Sequence, residues 1–508
     1  MNVKFLLADR AARYPSKPAV IFMGESITFS ELYENTLQFA DGLCSREVKK
    51  GDKVAIYLPN CPEYIYSYLA LFSIGAAVVP LDFMLTQGEI INFINHSDSI
   101  TLIAQERKGV DFQEIRNACK NLKNITQSHE LKKPNDATDI SSEGDVTAKR
   151  IRPLKGDNVT EEDCAAIFYT SGSTGHPKGV LLTYGHLDNP IKCISHSLHT
   201  TDKDSYLCAG VPFSHVGGLD YMLFMLYFGS TLILMDRFHP LEALKNIEAY
   251  KPTIFCVVPA MFVAILSLKE CEKFDLSSLH YPVVFGAPSS PHLLQKFHEL
   301  CPNATLLNGW GMTETAAPNT YSPPDISKIH SIGPFGVDME GKIVDEEGNS
   351  LSPGQKGELW VKGKAVMVGY YKEEALTKEV ITEDGWLKTG DIAYRDKEGL
   401  FYLAGRKKEM IKVAGEIVFA PEVEDILHRH PKVKEVAVIG IAHELRGEVP
   451  KAFVVPKENE PLTAEELRAF CRGYMAHFKI PHVFEFRSQL PKTLSGKIDK
   501  SQLIETSR

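Results

Sequence analysis

Short apolar runs alternate with longer amphipathic stretches through the first half of the chain. Val54-Ala55-Ile56-Tyr57-Leu58, Thr101-Leu102-Ile103-Ala104 and Thr231-Leu232-Ile233-Leu234 have the length and β-branched content of buried strands. Ser30 to Leu43 and Pro62 to Ile74 have the length and spacing of helices. Strands and helices in alternation predict α/β layers. Ser30 is the expected N-cap of the first helix, although its capping-box spacing is imperfect.

Two apolar stretches are longer. Tyr68 to Leu81 contains Ser73, Gly75 and Pro80, and Tyr221 to Met235 lies between Asp220 and Asp236. Both fall short of the ~20 residues that cross a bilayer, so both are expected to be buried core. From Lys132 to Asp163 the chain turns polar, which predicts an exposed excursion with little to bury. Beyond Gly405-Arg406-Lys407-Lys408 the pattern restarts, with strands at Val436 to Ile441 and Ala452 to Val455 and helices beginning near Pro421 and Thr463. A small C-terminal domain is expected there.

The 508 residues predict about three folding units, and 44% hydrophobic with 24% charged residues excludes a disordered or fibrous chain. Lys and Arg number 56 against 65 Asp and Glu, a net charge of −9. That balance excludes a generally basic nucleic-acid binder, so no nucleic-acid partner is expected. The ten cysteines show no Cys-x-x-Cys spacing and the N-terminus has too short an apolar run for a signal peptide, which predicts a reducing, cytoplasmic location.

Candidate chemistry begins after the strand-like Ala165-Ala166-Ile167-Phe168-Tyr169. There Thr170-Ser171-Gly172-Ser173-Thr174-Gly175-His176-Pro177-Lys178-Gly179 gathers hydroxyls and glycines around one lysine. Glycines let backbone N–H groups approach phosphate oxygens, hydroxyls donate further bonds, and Lys178 supplies charge. The mononucleotide loop G-x-x-x-x-G-K-[ST] does not fit. His176-Pro177 follow Gly175, no Ser or Thr follows Lys178, and Val180 to Thr183 continue as a strand where that motif opens a helix.

This loop resembles the signature of the adenylate-forming superfamily of acyl-CoA synthetases, luciferases and peptide-synthetase adenylation domains. Asn308-Gly309-Trp310-Gly311-Met312-Thr313-Glu314 resembles its second signature, and Pro491-Lys492-Thr493-Leu494-Ser495-Gly496-Lys497 its last. Alone, such a Trp would be a core anchor, Glu314 a solvated acid and Lys497 a solubilising charge. The resemblance implies instead that Trp310 packs on adenine, Thr313 meets the α-phosphate, Glu314 helps hold Mg²⁺, and Lys497 carries adenylation. It further implies that Gly286-Ala287-Pro288 line the adenine, Asp391 of Thr389-Gly390-Asp391 binds the ribose, and Arg406 reaches ribose or phosphate. Lys408 would be the hinge, while Lys412 and Gly415 enter the site for a second step. His215 and Gly217, with Gly309 and Gly311, would border the acyl pocket. The lack of charge there points to an apolar tail.

The fold so implied has a large N-terminal domain, residues 1–404, of layered α/β subdomains: two sheets with flanking helices plus a small barrel-like part. A hinge at 405–408 would lead to a small mobile α+β domain, 409–508. The activity implied is that of an acyl-CoA ligase using ATP, Mg²⁺, CoA and a carboxylic acid, medium- or long-chain fatty acid being favoured. An aryl-acid ligase, an adenylation enzyme loading a separate carrier protein, and a silent nucleotide-binding homologue are the alternatives. The short stretch after Lys497 favours free CoA over an attached carrier. Peripheral membrane contact and a homodimer stay open.

Overall fold

The computed structural model describes residues 2–132, 159–170, 178–286, 289, 291–336, 338–458, 460–492 and 498–507. Most of the polar excursion, and Ser171 to Gly175, Ala287, Pro288 and Lys497, lie outside them. The chain divides into two compact units: Met1–Cys256 with Gly311–Asn319 and Lys364–Glu379, and Val257–Trp310 with Thr320–Gly363 and Val380–Arg508.

The first unit carries the expected α/β layering. Lys53–Tyr57 lies between Ala77–Leu81 and Thr101–Ala104, all parallel, with Asn124–Gln127 beyond. Cys164–Thr170 joins the other side of this sheet, Lys178–Thr183 pairs antiparallel to it, and Gly369–Tyr370 forms the edge. A second parallel set places Ser205–Ala209 beside Thr231–Met235, which adjoins Pro18–Phe22. The two long apolar stretches are the helix–strand pairs Pro62–Ile74 with Ala77–Leu81, and Val216–Phe228 with Thr231–Met235, and both are core. Pro62–Ile74 is buried on every face, as an enclosed helix must be when its sequence is apolar all round. Among the described residues no helix is long and apolar enough to cross a membrane.

The helix expected from Ser30 runs Phe29–Ser45, and its cap is Thr28. Thr28 Oγ1 accepts the N–H of Glu31 at 3.2 Å, while the Glu31 carboxylate accepts the N–H of Thr28 at 2.8 Å. Ser30 sits one residue inside the helix. The box is therefore complete, read two residues earlier than expected. Thr28→Ala is expected to cost about 1 kcal/mol of local stability, speeding hydrogen exchange of the Glu31 amide about fivefold.

In the second unit Tyr281–Val284 runs parallel to Leu307–Trp310, which pairs antiparallel with Thr320–Tyr321. Met339–Val344, Gly357–Gly363, Leu387–Arg395 and Phe401–Arg406 form an antiparallel four-stranded sheet. The last hundred residues build their own sheet. Its long hairpin, Val433–His443 with Gly447–Pro456, is flanked by Met410–Val413 with Glu416–Phe419 and by Val483–Phe486. Helices Ala420–His428 and Ala464–Arg472 cover one face, where Val423, Leu427, Leu467 and Cys471 join Val436, Val438, Ala452 and Val454 in a core.

Candidate active site

The strands that lead into and out of the glycine- and hydroxyl-rich segment pair antiparallel. Thr170 ends one strand and pairs directly with Lys178, which begins the next. A strand, not a helix, follows the lysine, as the sequence pattern requires. Gly179 packs so closely on Ile167 that a Cβ would lie 2.9 Å from its Cγ2, so the strand can carry no side chain there without repacking.

The Lys178 ammonium stands 5.3 Å from the centre of the Tyr370 ring. The hydroxyl of Tyr370 donates to Glu314 Oε1 at 3.0 Å. Burial, then the Glu314 charge, push the Tyr370 phenol well above its usual range, so it remains a donor. Glu314 is only 9% exposed. It sits in the tight turn Thr313–Thr315, half-buried Thr313 preceding it. The turn is held by the Met312 N–H to Thr315 Oγ1 at 3.1 Å and by Met367 N–H to the Glu314 carbonyl at 2.8 Å. Gly311 is obligatory here, since a Cβ would come within 2.5 Å of Ala317 Cβ. Tyr370 thus brings Lys178 and Glu314 into one group within the first unit.

The second unit holds the other group. Asp391 and Arg406 are directly opposed on neighbouring strands, and Arg406 Nε lies 2.6 Å from Asp391 Oδ1. The indole N–H of Trp310 donates to Asp391 Oδ2 at 2.9 Å. One donor on each oxygen fixes the plane of a carboxylate that is 4% exposed. The ring of Trp310 rests edge-on against Phe335, 5.5 Å between centres. Gly390, with φ of +71°, lies within strand Leu387–Arg395 where its register against Gly357–Gly363 shifts, and its N–H donates to Glu358 Oε1 at 3.2 Å. Glu358 Oε2 in turn pairs with Lys407 at 2.9 Å. Gly309 faces Tyr321, whose ring a Cβ would approach to 3.1 Å.

His215 occupies the N-cap of Val216–Phe228, 43% exposed, with Nε2 3.9 Å from Asp82 Oδ2. Gly217 is buried in the first turn of that helix. Gly286 has a φ of +85°. Lys408 is exposed in the turn Lys407–Glu409. Lys412 is exposed on the hairpin Met410–Val413 with Glu416–Phe419, whose tip, Ala414 at φ +49° and Gly415 at φ +92°, is exposed as well.

The profile of the AMP-binding enzyme family matches residues 7–371, and that of the AMP-binding enzyme C-terminal domain matches 422–497. This chain belongs to that family, the adenylate-forming superfamily. The long-chain-fatty-acid–CoA ligase of Bacillus subtilis is 34% identical over 533 residues, covering 99% of this chain and 94% of the relative. The solved structure of Bacillus subtilis o-succinylbenzoate CoA synthetase with its acyl-adenylate intermediate has a TM-score of 0.85 and 29% identity, covering 98% of this chain and 97% of that one. The same synthetase with ATP and magnesium ion has a TM-score of 0.85, 29% identity and coverage of 98% and 99%.

An AMP-binding enzyme needs a place for Mg²⁺, and the donor set here suits that ion. Among the described residues no three His, Cys, Asp or Glu gather into a cage, while Glu314 offers one held carboxylate. Mg²⁺ takes one or two carboxylates with substrate phosphates and retained waters rather than an all-protein cage. Sequence reasoning noted the Glu358 and Tyr370 stretches only as resembling the family and gave them no role, and it missed Asp82 beside His215. The Trp310 bond tests how Asp391 is held. Trp310→Phe keeps the ring and deletes the N–H, and is expected to raise KM for ATP about tenfold with kcat little changed, the usual worth of a hydrogen bond to a charged group. Steady-state kinetics with varied ATP checks it.

Proposed function

We propose that this AMP-binding enzyme is an acyl-CoA ligase. It activates a carboxylic acid with Mg-ATP to an acyl-adenylate and pyrophosphate, then passes the acyl group to the thiol of CoA, releasing AMP. The observation that carries this reading is the pair of held, buried carboxylates. Asp391 is fixed by Trp310 and Arg406 to receive the two ribose hydroxyls, and Glu314 is fixed by Tyr370 on the phosphate side. Mg²⁺, when bound at Glu314, screens phosphate charge against the incoming carboxylate. Lys178 and the Thr170 to Gly175 loop grip the pyrophosphate portion, Gly286 to Pro288 border the adenine, and Thr313 addresses the α-phosphate. Lys497 offsets charge as phosphorus becomes five-coordinate. For the second step the domain beyond 405–408 turns about Lys408, replacing Lys497 by the Lys412 to Gly415 hairpin tip. The small, exposed tip suits a wall for the pantetheine arm.

The acid that the enzyme activates is a medium- or long-chain fatty acid, whose chain would lie beside His215, Gly217 and Gly311 of the first unit. The full-length likeness to a long-chain-fatty-acid–CoA ligase supports this choice. An aryl acid is the second reading, favoured by the likeness to o-succinylbenzoate CoA synthetase. All ten cysteines are free thiols, which suits a cytoplasmic enzyme. AMP release with ATP across a panel of saturated, aryl and dicarboxylic acids tests the reading. CoA-dependent turnover greatest with saturated acids supports it, turnover greatest with aryl acids selects the second reading, turnover only with a carrier protein removes CoA, and no turnover with any acid sinks the enzyme.

A further inference from the structure

Lys500 is a lysine that the roles above leave unused, and it is placed where a solubilising lysine would not be. Its ammonium lies 2.9 Å from Glu409 Oε2 and 2.9 Å from Glu424 Oε1, with its side chain 19% exposed. Burial works against the charge, but the two glutamates outweigh it and hold the ammonium above the usual lysine range. Glu424 is itself fixed, since its Oε1 also accepts the N–H of Val438 at 2.7 Å, on the edge strand Val433–His443 of the C-terminal sheet.

The surroundings of this clamp explain what it could hold. Lys500 opens the last helix, Lys500–Glu505, three positions after Lys497. On either side of 493–497 the chain is drawn together: Lys492 and Ile498 form an antiparallel bridge, and the Asp499 N–H donates to the Pro491 carbonyl at 2.8 Å. Upstream, the Lys492 ammonium pairs with Glu435 at 2.9 Å. Leu490, Ile498 and Leu503 pack with Ala437, Ile439, Phe453 and Val455. Lys500 is the downstream anchor of this neck. Through Glu409, the residue after Lys408, it also ties the neck to the chain leaving the hinge.

We propose that Lys500, clamped between Glu409 and Glu424, is a positioning residue for adenylate formation, fixing the neck from which Lys497 is presented. The proposal rests on the ligase reading above. A bare stabilising ion triad would weaken both half-reactions alike. A positioning role touches only the one that uses Lys497.

The test uses the full chain with dodecanoic acid first and then the acid panel. Pyrophosphate release in a single turnover without CoA reads the first step, and acylation of CoA from synthetic dodecanoyl-adenylate, or the best acid's adenylate, reads the second. Lys500→Met is expected to slow the first step about 30-fold and the second less than about twofold, the scale of a misplaced catalytic group. Lys500→Arg restores the first step to within about threefold of the parent, because it keeps the charge between both acids. Glu409→Gln, a milder change that spares the fold if Lys500→Met does not, lowers the first step in the same selective way. In a Lys497→Ala background Lys500→Met adds no further loss, since the group it positions is gone. Equal loss in both steps, an unchanged first step, no rescue by Arg, or full additivity with Lys497→Ala overturns the proposal. A parent that releases no pyrophosphate with any acid overturns the ligase reading, and this proposal with it.

Discussion

Lys497→Ala is expected to slow acyl-adenylate formation by about 10²- to 10³-fold, the loss seen when one preorganised charge on a reacting oxygen is removed. The step demands it. A carboxylate must approach an α-phosphate that is already anionic, and negative charge grows on the phosphoryl oxygens as the fifth bond forms. In the proposed mechanism a single ammonium between the two offsets charge on both partners, whereas Lys178 and Mg²⁺ serve the departing pyrophosphate. Transfer of the acyl group from supplied acyl-adenylate to CoA should keep its parent rate to within about threefold, because the proposed mechanism gives that step to the Lys412 to Gly415 face. Single-turnover pyrophosphate release against CoA acylation separates the two. A variant that forms the adenylate at the parental rate would leave Lys497 as an ordinary terminal charge.

Strands such as Lys53–Tyr57 and Thr101–Ala104 were legible because burial on both faces leaves an unbroken apolar run, which has one reading once its length excludes a helix. Helix Pro62–Ile74 was legible to the residue from Pro at its start and Gly75, at φ +80°, at its end. The Thr28 cap was present in the letters, since Thr28-Phe29-Ser30-Glu31 spells a capping box, but two hydroxyls two positions apart compete and only backbone geometry chooses.

The site residues were legible as chemistry and not as partnerships. Trp310 and Asp391 are 81 positions apart, and Tyr370 and Glu314 are 56. Such pairs follow from which distant strands and turns meet in the fold, and local hydrophobic periodicity, which reports only the buried face of each element, does not name the partner. One signal was available for the first: a buried indole N–H needs an acceptor, and a nearby buried carboxylate is the strongest. Tyr370 gave no such signal, because Gly369-Tyr370-Tyr371 reads equally well as an edge strand. His215 drew attention as an acyl-channel residue, but its approach to Asp82 depends on a loop more than a hundred positions upstream.

Glu314→Gln is expected to lower adenylate formation by about 10²-fold and to raise the Mg²⁺ concentration needed for half-maximal rate about tenfold. The substitution is chosen for what it keeps. The amide oxygen of Gln still accepts the Tyr370 hydroxyl, now 3.0 Å from Glu314 Oε1, so the turn Thr313–Thr315 and its backbone bonds are expected to survive. What is lost is one negative charge in a site where water is largely excluded. In the proposed mechanism that charge is the protein's own share in holding Mg²⁺, and without it the ion would depend on phosphate oxygens and water. The defect should therefore shrink as Mg²⁺ rises, whereas a structural defect would not. Tyr370→Phe gives the complementary result: the charge stays, only its orientation loosens, and the loss is about tenfold, in line with one hydrogen bond to a charged group. Pyrophosphate release measured over a Mg²⁺ series for both variants distinguishes them. If Glu314→Gln has the parent's Mg²⁺ dependence, Glu314 does not bind the ion, and its burial against Tyr370 serves the turn alone.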